Sequence, residues 1–135
     1  MPSHLEPVYL ANVLLFVQEL ETFKAFPFIS KRCQEAMLTV KVNPVSFSSS
    51  PSVILKYFPN INTMVVECIS CFNERNTLPD SVTSLILKLL DLTKLTDSNL
   101  RYADRVVEIR RCSFDRDHPA DFSLFPNLER LTFDK

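Results

Sequence analysis

The sequence predicts an α/β fold: a short solenoid of about five parallel strands, capped at its N-terminal end by a helical segment. The apolar pattern L-x-x-L-x-L, in which L is any apolar residue, begins at positions 37, 61, 82, 106 and 128, in steps of 24, 21, 24 and 22 residues. The tripeptide Phe-Pro-Asn occurs at 58–60 and again at 125–127, each time just before one of these segments. Residues 1–36 instead carry apolar side chains at helical spacing.

The composition narrows the class of protein. A chain of 135 residues with 46% hydrophobic residues forms one ordinary domain with a real core. Its 15 basic and 16 acidic side chains nearly cancel and form no basic block, so the electrostatic signature of a nucleic-acid binder is missing. The chain has no glycine, which excludes P-loops and dinucleotide fingerprints, because both need glycine where the backbone approaches a phosphate.

The apolar run 8–17 predicts a buried amphipathic helix. It is shorter than the roughly 20 residues that span a bilayer. A signal peptide is a poor fit, because Glu6 and no basic residue precedes the run and no small-residue cleavage site follows it. We therefore expect a cytoplasmic protein with reduced thiols and no membrane or nucleic-acid partner, with the nucleus as the alternative location.

The remaining N-terminal residues predict two further helical elements. Four residues of the first helix share one face: Leu10, Val13, Leu14 and Val17. A second apolar set, Phe23, Phe26 and Ile29, precedes a helix over SKRCQEAML, for which Ser30 is the expected N-cap.

This N-terminal segment, LEPVYLANVLLFVQELETFKAFPFISKRCQEAM, resembles an F-box. An F-box has a Leu/Pro start, a leucine-rich helix, a short second helix and a third helix that begins Val-Ser-Lys-Arg-Trp, which 29–32 match as Ile-Ser-Lys-Arg. Two positions differ: Cys33 stands where F-boxes commonly have Trp, and Glu6 separates Leu5 from Pro7.

Together with the repeats, the whole chain resembles F-box/leucine-rich-repeat proteins, and more nearly the divergent leucine-rich-repeat proteins of protozoa. The resemblance implies an F-box-like cap over 1–36 and leucine-rich repeats over 37–135. It also implies docking onto the Skp-type subunit of a cullin–RING ubiquitin ligase. The residues implied in that docking are Leu5, Pro7, Leu10, Val13, Leu14, Phe23 and Ile29.

The spacing of the apolar segments is typical of leucine-rich repeats, which have periods of about 20–29 residues and one short strand per coil. The segment that begins at Val106 fits through Ile109 and then has Arg111 in its third apolar slot. Two interpretations of Arg111 are open. It marks a local change of strand register, or its stem is buried and its charged end reaches solvent.

The connections between the segments predict short helices. Ser50 is an expected N-cap, with Pro51 in the first turn, where its missing N–H costs nothing. Thr96 is a second expected N-cap, with Asp97 in the first turn. Residues 115–125 predict a helical turn.

The tripeptide Phe-Pro-Asn has a mechanical interpretation at both of its positions. We expect the phenylalanine to end a helix inside the core, the proline to impose an extended backbone and the asparagine to turn the chain. Residues 72–81 contain no such pattern and predict an irregular loop.

The four cysteines are Cys33, Cys68, Cys71 and Cys112. Cys68 and Cys71 form a CxxC, but the second pair or the paired histidines of a zinc site are absent. Because a reduced cysteine behaves as a small hydrophobe, we expect core packing, no metal and no cofactor. Cysteine-based metal or redox chemistry is the alternative, although a thioredoxin-like site would place the CxxC at the start of a helix in a βαβ unit.

No catalytic constellation is present in the sequence. The only histidines are His4 and His118, and a pairing of His118 with Cys112 would still need an oriented base and an oxyanion site. We therefore expect a non-enzymatic protein–protein interaction module, an F-box-like/leucine-rich-repeat scaffold. A substrate adaptor of a cullin–RING ligase is the alternative.

Residues between the inward apolar slots are expected on the concave face of the sheet. The partner-binding candidates among them are Lys41, Val65, Glu67, Ile86, Lys88, Glu108, Arg110 and Arg130. The same face would carry Thr39, Asn43, Thr63, Ser84, Thr132 and Asp134. This face predicts a shallow protein-binding surface, and a merely solvated sheet face is the alternative.

The last apolar segment, 128–133, lacks a cap in the sequence, and three interpretations are open. The chain is a fragment of a longer repeat protein, or a complete one whose final charges, Asp134 and Lys135, protect the edge strand. The third interpretation is a homodimer paired edge to edge.

Overall fold

The chain folds into a group of helices followed by a parallel sheet. The computed structural model describes residues 6–44, 50–72, 75, 77–113, 117 and 121–133. The α-helices in this part of the chain are α1 (Pro7–Leu14), α2 (Leu20–Ala25), α3 (Lys31–Thr39) and α4 (Pro51–Tyr57). The strands in the same residues are β1 (Thr63–Cys68), β2 (Ser84–Asp91), β3 (Val106–Ser113) and β4 (Arg130–Phe133). Short 3₁₀ turns lie at Phe26–Phe28, Ile69–Cys71, Leu92–Lys94, Asn99–Arg105 and Phe122–Leu124.

The sheet has the order β1-β2-β3-β4, and every pair of neighbours is parallel. One row of the sheet contains Val65, Ile86, Glu108 and Arg130 side by side. Strands that are adjacent in sequence can pair in parallel only if each connection returns the chain to the same end of the sheet. The predicted α/β class and its parallel sheet are confirmed.

The inward slots of the three central segments form the core. All of them are at most 1% exposed: Ile61, Met64, Val66, Val82, Leu85, Leu87, Val106 and Ile109. Fully burying one aliphatic side chain of this size stabilises a fold by roughly 1.5–3 kcal/mol. The outer segments are less covered, since Val42 is 36% and Phe133 is 49% exposed.

The first predicted strand, over 37–42, is wrong, so the described residues contain four strands where five were expected. The Ser30 hydroxyl accepts a hydrogen bond from the Cys33 backbone N–H at 3.2 Å, as a helix N-cap does, and α3 continues past Met37. The chain becomes extended only after α3. Val42 then forms an isolated parallel bridge with Thr63.

The register of the sheet changes at Arg111, which decides between the two interpretations of that residue. Ile109 pairs with Leu131 and Cys112 pairs with Phe133, so β3 uses one more residue than β4 over this stretch. An extra residue in one strand reverses the side to which the next side chains point. Arg111 is therefore exposed, and Cys112, only 3% exposed, takes the apolar slot.

The two Phe-Pro-Asn tripeptides have the same structure. Phe58 follows α4 and Phe125 follows the 3₁₀ turn Phe122–Leu124, and they are 0% and 2% exposed. The prediction that phenylalanine ends a helical element inside the core is confirmed. The expected extended backbone at proline is wrong, because 59–60 and 126–127 form turns.

The asparagines of the tripeptides connect segments that are about one repeat apart. The Asn60 side-chain amide donates to the Leu38 carbonyl at 2.9 Å, 22 residues earlier. The Asn127 amide donates in the same way to the Asp104 carbonyl at 2.6 Å, 23 residues earlier. Each side chain thus satisfies a backbone carbonyl in the segment before it.

The predicted helix caps are correct in position more often than in bonding. α4 begins at Pro51 as expected, but the Ser50 hydroxyl makes no cap hydrogen bond and lies 3.0 Å from the Ser52 hydroxyl. The cap expected at Thr96 is wrong. The Asn99 side chain, which is buried, accepts a hydrogen bond from the Thr96 N–H at 2.8 Å instead.

The two remaining connections are partly described. Within 115–125 the 3₁₀ turn Phe122–Leu124 is present, whereas 115–116 and 118–120 lie outside the described residues. Within 72–81 the described residues contain no helix or strand, as expected.

Candidate partner-binding surfaces

Helix α1 is anchored to the core along one side. Leu14 is fully buried, and Leu10 and Val17 pack against the core cluster while remaining partly accessible. These three residues are spaced four and three apart, so they lie on one side of the helix and of the turn that follows it. The amphipathic helix predicted for 8–17 is confirmed over Pro7–Leu14.

A second side of α1 is apolar and exposed. Tyr9 is 59%, Val13 is 51% and Phe16 is 83% exposed. Their spacing of four and three residues places them together, and we call these three residues the α1 face. Exposed apolar patches of this kind mark interaction sites more often than single exposed residues do.

A groove of about 530 Å³ lies between α1 and the segment after α3. Its lining is largely apolar and consists of Val8, Ala11, Asn12, Leu15, Thr39, Val40, Lys41 and Val42. Val8 and Leu15 are 59% and 45% exposed, so α1 presents apolar side chains to this groove as well. The volume falls within the roughly 300–1,000 Å³ of ordinary ligand pockets.

The residues that the F-box resemblance implies do not form one surface. Leu14 and Phe23 are 0% exposed, whereas Val13 and Ile29 are 51% and 70% exposed. Pro7 and Leu10 are partly buried, and Leu5 lies outside the described residues. Phe23 is buried because its ring packs edge-on against Phe58, with the ring centroids 5.5 Å apart.

Sequence reasoning missed two residues of the α1 face. Tyr9 and Phe16 belong to the apolar run but were not among the site candidates. Their spacing with Val13 was readable in the sequence. Which side of an all-apolar helix faces the core was not, because packing partners decide it.

A second group of exposed apolar side chains lies near α2. Phe28 is 88% exposed, beside Ile29, at the turn before α3. Phe28 also lines a hollow of about 390 Å³ with Pro27, Leu38, Tyr57 and Pro59, among others. This hollow and the groove beside α1 are lined by different residues.

The predicted concave face carries pairs of opposite charge. The Lys88 Nζ lies 2.7 Å from the Glu67 carboxylate on the neighbouring strand. Glu108 contacts Arg110 at 3.2 Å and Arg130 at 3.4 Å. Partly exposed pairs of this kind contribute about 0–1 kcal/mol each, so their arrangement matters more for recognition than for stability.

The expectation that Val65 and Ile86 are exposed aliphatics is wrong, since they are 1% and 7% exposed. Asn43, also expected on the accessible face, is 1% exposed. Its side-chain oxygen accepts from the Val65 N–H at 2.7 Å, and its amide donates to the Val65 carbonyl at 2.8 Å. Lys41 is exposed, and its Nζ donates to the Asn60 carbonyl at 3.5 Å.

The four cysteines fall into two groups. Cys33 and Cys112 are buried, as expected for core packing, and burial together with the charge of Asp91 raises the pKa of the Cys112 thiol. Cys68 and Cys71 are only half-buried, so for them the expectation of core packing is wrong. Their Sγ atoms lie 3.9 Å apart.

The other chemical candidates of the sequence have little structural support. His4 and His118 both lie outside the described residues. Within the described part of the chain, no three His, Cys, Asp or Glu side chains are placed to hold a metal ion. No helix in that same part has the length and apolar character to cross a membrane. Compared with protein-family models, curated proteins and solved structures, the chain matches none of them.

Proposed function

We propose that this chain is a non-enzymatic protein–protein interaction module, a short leucine-rich-repeat scaffold with an F-box-like helical segment at its N-terminal end. The α1 face carries the proposal. Three large apolar side chains remain exposed on a helix whose opposite side is packed into the core. Covering apolar surface recovers about 25 cal/mol per Å², so a partner that buries this face gains affinity from it.

Hydrogen bonds between segments one repeat apart support the scaffold part of the proposal. Besides the two asparagine bonds, Arg105 Nη1 donates to the Val82 carbonyl at 2.9 Å, 23 residues earlier. In a solenoid each coil contacts only its neighbours, so bonds at one repeat length are expected. The consecutive parallel order of the strands agrees with this arrangement.

Phe16 is the expected anchor of the interface. Aromatic residues that a partner fully covers account for most of the binding energy in many interfaces. The groove beside α1 adds an adjacent apolar surface, to which Val8 and Leu15 contribute. The sheet face, with its charge pairs around Glu108, is the second surface on which a partner could depend.

Capture of partners from cell extract tests the proposal when wild type is compared with two variants. Phe16→Glu changes the α1 face at a side chain that is 83% exposed, so the fold should be retained. Leu124→Glu is the matched control, because Leu124 is an exposed leucine at the other end of the chain, in the 3₁₀ turn Phe122–Leu124. We expect a partner that is lost with Phe16→Glu and kept with Leu124→Glu. Identical captured sets for all three chains would contradict the proposal.

A substrate adaptor of a cullin–RING ubiquitin ligase is the second candidate function. It is favoured by the exposure of Val13 and Ile29, two of the residues that the F-box resemblance implies. Leu14 is a poor site for a test, because an aspartate at a fully buried position would unfold the chain. Val13→Asp changes the exposed face instead.

Purified Skp-type subunit distinguishes the two candidates. The adaptor function predicts that wild type and Leu124→Glu bind this subunit and that Val13→Asp binds it weakly. If wild type does not bind, the adaptor function is wrong, while the more general interaction module is still tested by the capture experiment.

A further inference from the structure

The CxxC motif brings two thiols together at the end of β1. Cys68 is the last residue of β1, and Cys71 is the last residue of the 3₁₀ turn Ile69–Cys71. A 3₁₀ turn has three residues per turn, so residues spaced three apart lie above one another. The Sγ atoms are accordingly 3.9 Å apart. Ile69 and Phe72, 4% and 1% exposed, hold this turn against the core.

The two thiols have different surroundings. Cys68 Sγ lies 2.7 Å from the Ser70 hydroxyl, which can donate a hydrogen bond to a thiolate. Cys68 and Ser70 also line a hollow of about 120 Å³ together with Asp91 and Lys94. Lys94 Nζ is 3.3 Å from the Asp91 carboxylate, so this wall carries both signs of charge.

Cys71 is the less acidic partner in this contact. Burial is the largest cause that raises the pKa of its thiol, and the neighbouring Cys68 and the negative charge of Glu67 raise it further. A thiol with a raised pKa is a weak nucleophile toward an incoming molecule. It can still react with a sulfur that is already held next to it.

We propose that Cys68 and Cys71 form a thiol–disulfide exchange site for low-molecular-weight disulfides such as glutathione disulfide. This site is independent of the partner-binding surfaces. The Cys68 thiolate attacks one sulfur of the disulfide, the S–S bond breaks, and one glutathione thiolate leaves and takes a proton from water. Cys71 then loses its proton and attacks Cys68 Sγ in the mixed disulfide, which releases the second glutathione. Two protein thiols are oxidised by two electrons in total, and one glutathione disulfide is reduced to two thiols.

The geometry makes the second step short. A disulfide requires the two sulfurs to approach to about 2.05 Å, and two cysteines that face each other across one turn reach this distance by side-chain rotation. Cys68 is the attacking residue because it lines the hollow and has the hydroxyl donor. Cys33 and Cys112, which are buried in the core, provide an internal control in the same chain.

The test equilibrates the reduced protein in a buffer of glutathione and glutathione disulfide, quenches it in acid, and alkylates the unfolded chain. We expect wild type to lose two of its four alkylatable thiols, with a disulfide between Cys68 and Cys71 in the peptide map. Cys112→Ala should form the same disulfide. A wild-type chain that keeps all four thiols would overturn the proposal, and so would indiscriminate oxidation that includes Cys33.

Two single variants test the order of the steps. Cys71→Ser should accumulate a stable mixed disulfide of Cys68 with one glutathione, because no second thiol is present to release it. Cys68→Ser should form neither product at a comparable rate. If wild type itself accumulates the glutathione adduct without an internal disulfide, the pair does not act as an exchange site. Circular dichroism of both variants establishes that they are folded.

Discussion

Asn43 completes the edge of β1 opposite β2, and its replacement by alanine tests this account of the sheet. The side chain is 1% exposed and makes two hydrogen bonds to one residue, with the Val65 N–H at 2.7 Å and with the Val65 carbonyl at 2.8 Å. It therefore supplies the donor and the acceptor that a neighbouring strand would otherwise supply. Asn43→Ala removes both at once.

The expected loss of stability follows from the number of orphaned groups. A buried backbone group that loses its partner costs about 1–3 kcal/mol. Two such groups at Val65 give an expected loss of roughly 2–5 kcal/mol in the free energy of unfolding. Because domains have only about 5–15 kcal/mol in total, this is a large fraction.

Urea unfolding followed by circular dichroism measures this loss. Asn62→Ala is the matched control, because Asn62 is exposed and its side chain accepts a hydrogen bond only from the adjacent Thr63 hydroxyl among the bonds identified. Asn43→Asp is informative as well. Its ionised carboxylate cannot donate to the Val65 carbonyl, whereas the protonated form can, so this variant should become more stable as the pH falls. A loss below about 1 kcal/mol for Asn43→Ala, or one equal to that of Asn62→Ala, would refute the reasoning.

Three further substitutions test other contacts. Tyr102→Phe removes the hydroxyl that accepts from the Leu78 N–H at 2.9 Å, and urea unfolding should show a loss of about 1–3 kcal/mol, with an unchanged stability counting against the contact. Glu67→Lys and Lys88→Glu should each destabilise the sheet, and the double swap should restore about 0.5–1 kcal/mol in a double-mutant cycle; strict additivity would contradict the parallel register that pairs them at 2.7 Å. Hydrogen bonds from the adjacent threonine hydroxyl and N–H hold the pKa of Asp91 below its usual 3.8, so its stabilising contribution is present above that value and is lost as the pH falls through the folded-state pKa. Asp91→Asn should therefore flatten the acid limb of the stability curve, and an unaltered limb would contradict this.

The core of the sheet could be predicted from the sequence because it depends on two local regularities. Side chains alternate along a strand, and the strands recur at a nearly constant step, so positions such as Leu85 and Ile109 were identified as inward. The segment at 37–42 has the same apolar spacing but follows a helix that Ser30 caps. The helix continues through Met37, since a short apolar pattern fits either structure and the cap decides.

The site was less predictable because burial there depends on distant residues. Val65 looked exposed from its strand position, but Asn43, 22 residues earlier, lies against it. Phe23 looked available for docking, yet its ring packs on Phe58. Neither contact has a local signal in the sequence, whereas the spacing of the α1 face does.

The central claim is that the α1 face binds a protein partner, and the affinity of the purified captured partner tests it most directly. An aromatic anchor contributes about 2 kcal/mol or more, so Phe16→Glu should weaken the dissociation constant by roughly 30-fold or more. Leu124→Glu should leave it unaltered. If titration calorimetry gives the same affinity for wild type and for a folded Phe16→Glu chain, the α1 face is not the binding surface.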